Sequence, residues 1–462
     1  MLLLSSKATA QFVTGEYRLD HLYTADQLRE DLTIYKTRLE LDHPNLYLYT
    51  PKSEINRLFD SLYASISAPD NSLNFYNMIT RSLPAIKDGH TQIFPDPVTT
   101  EYENQNAPFL PLQVHWEGNR LFVVKEYSAS PQIAPGTEIL VLNGVNASYL
   151  HDLMMRRQIR DGFNTTYPEW IIDRYFTSYY SFHFGNPAYF NIQTVNVDRT
   201  FGEFNIKGQS RDSIAYYRQS IYGEPSGTAV YGTGLTISLD TALGAATIGI
   251  KDFHNDILRK DFDQRFDDYI PAFFKTIREK QIKNVVLDLR NNQGGDIENA
   301  VTLLSFLLDT PFDIVQSYES VDPTTWKIPE ARLQPEKGPQ TGKHEPQKNN
   351  FTGKLYVLIN GGTFSASSMV CSALQAAKRC VFIGEETGGN PIVIAGNVKN
   401  ITLPNTKTSV SIPTVRYNIR SILYNVGRGI MPDYLIVPTT SDLISKKDAA
   451  MEMAFKLIKG KG

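Results

Sequence analysis

Val285-Val286-Leu287-Asp288-Leu289-Arg290-Asn291-Asn292-Gln293-Gly294-Gly295 is the stretch whose reading decides the fold. Residues 285–289 form an apolar run of the kind that is buried in a sheet covered on both faces. Two glycines end the run, and Ile297 to Leu308 then carries helical spacing. Strand, glycine turn and helix in that order are the start of a βαβ unit.

The same pattern recurs along the last part of the chain. Ile248 to Lys251 reads as a strand, Phe262 to Glu279 as an amphipathic helix, Leu355 to Ile359 as a strand, Ala366 to Lys378 as a helix and Val381 to Ile383 as a strand. Residues 240–462 are therefore expected to form an α/β domain whose glycine-rich turns share one edge of a sheet, the edge that holds ligands in open α/β folds. Residues 321–350, with five prolines among many polar residues, are expected to be a long loop.

Upstream the texture differs. Leu28, Leu32, Tyr35 and Leu39 form one helical stripe, and Ile55, Leu58, Phe59, Leu62 and Ile66 form another, so residues 18–105 are expected to be a small helical domain. Residues 106–210 carry short β-like runs, Leu110 to Val114, Leu121 to Val124, Ile139 to Leu142, Tyr189 to Val195 and Phe201 to Ile206. Pro135-Gly136 and Asn143-Gly144 punctuate them.

The whole chain has 462 residues, 41% hydrophobic and 21% charged, which fits two or three packed domains. A formal charge of -3 offers no general attraction to nucleic acid or anionic lipid. No apolar stretch has the length of a membrane span. Met1-Leu2-Leu3-Leu4 and Ala8-Thr9-Ala10 resemble the end of a clipped secretory leader within residues 1–17, and the competing reading is a frayed terminus. The leader reading places the protein in the periplasm or outside the cell. Cys371 and Cys380, nine residues apart on the expected helix, would be roughly 13 Å apart and beyond disulfide reach.

Gly361-Gly362-Thr363-Phe364-Ser365-Ala366-Ser367-Ser368 holds the candidate nucleophile. A serine hydroxyl needs a neighbouring base and oriented N–H groups for the oxyanion. Ser365 sits between a strand end and a helix start, where free N–H groups and the helix dipole favour negative charge. The N–H of Ala366 is the first candidate oxyanion donor, and Gly294 or Gly295 supplies the second. The competing reading is that Ser365 or Ser367 only caps the helix. Among eight histidines, His90 in Asp88-Gly89-His90-Thr91 stands at a domain junction from which it can reach a crevice. Phosphate-loop, dinucleotide, zinc-protease and Cys-x-x-Cys signatures are absent from the sequence, so no cofactor or metal is expected.

These motifs, with Gly384-Glu385-Glu386-Thr387-Gly388-Gly389 and Gly429-Ile430-Met431-Pro432-Asp433, resemble those of the tail-specific, or C-terminal-processing, serine peptidases over residues 240–440. The resemblance implies a crotonase-like βαβ catalytic core with Ser365 as nucleophile. Ala366 and Gly294-Gly295 would then form the oxyanion hole. Leu110-Pro111 and Pro135 to Gly144 look like a PDZ module, which would capture a peptide end by strand addition.

The processing-peptidase branch has a lysine where this chain has Asn390, so that base is excluded at this position. The segment around His90 resembles instead the branch containing the tricorn core protease, in which a histidine is the base. That branch supports the histidine with a glutamate, yet Asn425-Val426-Gly427-Arg428 has no carboxylate. Glu386, Glu385 and Asp88 are the candidates for this third member. The expected function is a serine peptidase acting on polypeptide, with an inactive relative that binds peptides or apolar ligands, or an esterase using the same serine, as alternatives.

Overall fold

The computed structural model describes residues 21–224, 234–338, 340–421 and 427–460, so the leader segment and Asn425-Val426 lie outside the described residues. The first part is helical: α1 (Ala25–Asp42), α2 (Lys52–Ser65), α3 (Ser72–Ile79), α4 (Leu83–Ile86), the short strand β1 (Gln92–Phe94) and α5 (Pro97–Asn106). Thr24 caps α1 in a capping box with Gln27. Leu28, Leu32, Tyr35 and Leu39 are buried against Ile55, Phe59 and Leu62 of α2, as the two stripes require. Lys87 ends α4 in the left-handed conformation and turns the chain into the His90 segment.

The second part comprises β2 (Leu112–Glu117), β3 (Arg120–Glu126), β4 (Glu138–Leu142), β5 (Val145–Asn146), α6 (Ala147–Met155), α7 (Thr166–Arg174), α8 (Phe176–Phe184), β6 (Tyr189–Val195), β7 (Phe201–Lys207) and α9 (Arg211–Tyr222). Its sheet runs β2-β3-β4-β6-β7, all antiparallel, over its own apolar core. The N–H of Trp116 donates to Asp173 of α7 at 2.8 Å, and α7 and α8 pack against β2.

The third part contains β8 (Leu235–Asp240), β9 (Ala245–Ile250), α10 (Asn255–Phe262), α11 (Phe266–Glu279), β10 (Asn284–Asp288), α12 (Ile297–Leu307), β11 (Val315–Val321) and β12 (Leu333–Glu336). It continues through β13 (Lys354–Ile359), α13 (Ala366–Ala376), β14 (Val381–Gly384), β15 (Val393–Thr402), β16 (Ser409–Ile419), β17 (Tyr434–Leu435), α14 (Thr440–Ser445) and α15 (Ala449–Ile458). The main sheet has the order β17-β14-β13-β10-β9-β8, parallel except for β8. The helix expected over 262–279 begins at Phe266 as α11, and a further helix, α10, precedes it and ends where Asp263 adopts the left-handed conformation. Cys371 and Cys380 are both free thiols.

A second sheet was not foreseen. Its order is β1-β16-β11-β12, with β15 beside β16, so the helical part contributes β1 to a sheet otherwise built from the last third of the chain. Residues 321–350 are not a structureless loop either. Leu333–Glu336 pairs antiparallel with β11, and Pro335 is tolerated there because β12 is an edge strand. Arg332, 2% exposed, pins this segment to the end of α1 by donating to the carbonyls of His43 at 2.6 Å and Glu40 at 3.1 Å.

Candidate active site

β10 and β13 lie side by side and in parallel, so the turns that follow them meet at one edge of the sheet. The turn after β10 is held rigidly. The Asp288 carboxylate receives Lys251 at 3.0 Å and Arg290 at 2.9 Å, and Arg290 also forks onto Asp448. Burial opposes charge on Asp288, but Arg290 and Lys251 hold its carboxyl down at about 2. Asn291 then turns the chain with φ of 65°, its side chain accepting from Trp170 at 2.7 Å and from Asn360 of the other turn at 2.9 Å.

The turn after β13 carries Ser365 with φ 54° and ψ −125°, a conformation costly for a residue with a side chain. Its hydroxyl makes no cap bond to α13, so the capping reading of this serine does not describe the structure. Gly361 and Gly362 are required here by close contact. A Cβ on the first would stand 2.1 Å from the Thr166 carbonyl oxygen, and one on the second 2.5 Å from the Trp170 ring.

His90, from the helical part, meets this turn. Its Nε2 lies 3.1 Å from the Ser365 hydroxyl, and its ring lies 4.7 Å from the Phe364 ring, which stacks on Tyr167 at 4.3 Å. Burial lowers the imidazole pKa below its ordinary 6.5, with Asp88 opposing this and His43 adding to it. At neutral pH the ring is therefore free base, the form that accepts a proton. Asp88 sits beneath the histidine, its Oδ1 accepting from the N–H of His90 at 2.9 Å, the N–H of Thr91 at 2.8 Å and the Thr91 hydroxyl at 3.1 Å.

The two glycines expected to supply an oxyanion donor differ in their bonding. The N–H of Gly294 donates to the Asn292 side chain at 2.8 Å, whereas no acceptor for the N–H of Gly295 lies among the described residues. Gly294 packs directly on the serine turn: a Cβ there would stand 2.7 Å from Ser365 Cβ and 2.8 Å from the Ala366 nitrogen. The N–H of Ala366, at the first position of α13, has no intrahelical acceptor.

The structure does not bring the two adjacent glutamates to His90. Glu386 forks onto Arg428 and accepts the N–H of Gly429 at 2.7 Å. Glu385 is pushed up to about 7 by burial and by Asp173, on the side facing β2. Nδ1 of His90 is buried without a hydrogen-bond partner among the described residues. Asn390, where a lysine would stand in the processing-peptidase branch, is fully buried and accepts the N–H of Ile392 at 2.9 Å. Trp170, Tyr167 and Asp161, all close to the site, carried no local sequence signal.

Residues 245–436 match the family model described as peptidase family S41. The chain is 25% identical over 203 residues to carboxyl-terminal-processing peptidase 1, chloroplastic, of Arabidopsis thaliana, covering 43% of this chain and 36% of that protein. It is 29% identical over 178 residues to the carboxy-terminal-processing protease of Bartonella bacilliformis, covering 38% and 36%. The matches thus span about a third of the length of these relatives. Among solved structures, mature CPAF superposes with a TM-score of 0.66 over 94% of this chain and 97% of that one, at 15% identity, a likeness of fold.

Proposed function

We propose that this chain, whose residues 245–436 match the model of peptidase family S41, is a serine peptidase that cleaves polypeptides through an acyl-enzyme on Ser365. The observation that carries the reading is the 3.1 Å contact between His90 Nε2 and the Ser365 hydroxyl, with a neutral imidazole and a strained serine at a helix start. His90 takes the hydroxyl proton as Oγ attacks the peptide carbonyl. The oxyanion forms between the N–H groups of Ala366 and Gly295. His90 then protonates the leaving amine, and water releases the acyl group. Asp88, beneath His90, supplies negative charge without touching Nδ1.

The parallel sheet with its covering helices supports a crotonase-like core within residues 240–462, although the sheet begins at Leu235. The antiparallel sheet supports a PDZ-like module over 106–210, behind a helical domain over 18–105. Cleavage near chain ends is proposed by analogy with the C-terminal-processing relatives. Among the described residues no helix is long and apolar enough to cross a membrane, and a periplasmic or extracellular location is proposed from the leader-like residues 1–17.

A second reading, a peptide-binding relative without turnover, draws on the unpartnered Nδ1 of His90. A fluorophosphonate probe separates the two. Labelling and peptide cleavage that are both lost in Ser365→Ala are the expected result. Absence of Ser365-dependent labelling in folded protein overturns it in favour of the binding module, and labelling with ester turnover alone favours an esterase.

A further inference from the structure

Asp161 lies in the connection between α6 and α7, and its carboxyl group joins two other pieces of chain. Oδ1 accepts the N–H of Gly89 at 2.8 Å, and Oδ2 accepts the N–H of Asn390 at 3.1 Å. Gly89 precedes His90. Asn390 follows Gly389, where a Cβ would stand 3.0 Å from the Ser365 nitrogen. One residue, 4% exposed, thus holds both the chain neighbour of His90 and the chain neighbour of the glycine that packs on Ser365.

The surrounding bonds make this a rigid clamp. The N–H of Gly162 donates to the Lys87 carbonyl at 2.9 Å, and the N–H of Phe163 to the Gly427 carbonyl at 2.7 Å. Asn164 donates to the Thr387 carbonyl at 2.9 Å. Gly89 has no room to move: a Cβ on it would stand 2.5 Å from the Phe364 ring and 3.0 Å from Asp161 Oδ1.

We propose that Asp161 is a positioning residue for the Ser365–His90 pair, setting the imidazole against the hydroxyl by fastening Gly89 and Asn390 to one carboxyl group. This rests on the peptidase reading given above. Proximity of this kind matters because a shift of about 1 Å costs on the order of a hundredfold in rate.

The titratable groups facing Asp161 are Asp88 on the His90 segment and Tyr49 beyond Asn390. His43 and His90 act on Asp88, and the Lys87 ammonium is directed over the Phe163 ring at 4.4 Å. Burial, then Asp88, pushes the Asp161 carboxyl up to about 7. Burial opposes charge on Asp88 as well, but His43, then His90, pull its carboxyl down to about 2, so of the two carboxyls Asp161 is the one that keeps its proton towards neutral pH. Ionisation of Asp161 adds negative potential near His90 and strengthens it as a base.

Asp161→Asn keeps the shape and places an amide donor against the N–H of Asn390 or of Gly89. We expect kcat to fall by at least about tenfold, with KM little changed and the melting transition cooperative. The wild-type pH profile of Ser365 labelling should carry an inflection near 7 in addition to that of His90, and the inflection should vanish in D161N. D161N that labels and turns over as wild type does, with the same pH profile, overturns the proposal. Should D161N fail to fold, the wild-type profile decides, and a single ionisation overturns it. Ser365→Ala labelling equal to wild type would instead sink the peptidase reading, whatever D161N does.

Discussion

The α-carbon of Gly294 faces the side chain of Ser365 so closely that a methyl group on the glycine would stand 2.7 Å from Ser365 Cβ. Both neighbouring atoms are fixed, one on a strained serine and the other the Ala366 nitrogen at the start of α13. Gly294 also has a φ of 99°, which a residue with a Cβ adopts only with strain.

Gly294→Ala should therefore displace the serine turn. Probe labelling is expected to drop on the order of a hundredfold, while circular dichroism and the cooperative melt persist. Wild-type labelling in G294A would show that the turn has slack the packing does not reveal.

On the proposed mechanism His90 sets an acid limb. Its pKa is lowered from 6.5 and the active form is neutral, so the midpoint of that limb in kcat/KM should lie below 6.5. His90→Gln should lose most activity at every pH. An acid limb above 6.5 that persists in Asp161→Asn would argue that a cationic imidazole is stabilised in the free protein.

Trp170→Phe removes the indole donor to Asn291 but keeps an apolar cover over Gly361 and Gly362. The expected loss is about 1 kcal/mol in chemical denaturation. The larger effect should be on kcat, because Asn291 also receives Asn360 and so ties the two turns together. Unchanged kcat would uncouple that tie from the chemistry.

Asp288→Asn probes stability against pH. The folded carboxyl is held at about 2 against an ordinary 3.8, so its stabilising contribution is complete above 3.8 and lost as pH falls towards 2. D288N should be less stable than wild type by roughly 2 kcal/mol at neutral pH, and the gap should close in acid. A gap independent of pH would point to packing instead of charge.

Arg332→Ala should free residues 321–350 from the end of α1, since the guanidinium holds the carbonyls of Glu40 and His43. Limited trypsin digestion is expected to cut faster after the exposed Lys327 and Lys337. Equal cutting rates would mean that the pairing of β12 with β11 suffices to hold the segment.

Much of the fold was legible because it rests on local periodicity. The stripes through Leu28 and Ile55, and the apolar runs 285–289 and 355–359, bury as their spacing requires. Ser365 was legible for the same reason, since strand end, glycines and helix start are contiguous. The second sheet was not, because β1 has only three residues and finds β16 across more than three hundred positions. Pro335 made residues 321–350 read as loop, since an edge strand carries little signal of its own. Gly294 and Gly295 could be told apart only after the Asn292 side chain was seen on one of them. Asp161 had no readable pattern, because its partners are residues 89 and 390.

That β1 from the helical part pairs with β16, while His90 lies 275 positions before Ser365, bears on when the proposed active pair is assembled. A nascent chain that has emerged as far as residue 360 has the histidine and no serine to act on. One that has passed the serine still lacks the strand that holds the histidine's own segment in place. On the proposed reading, the pair of Ser365 and His90 is therefore assembled only once residues 409–419 have been made and have paired with β1.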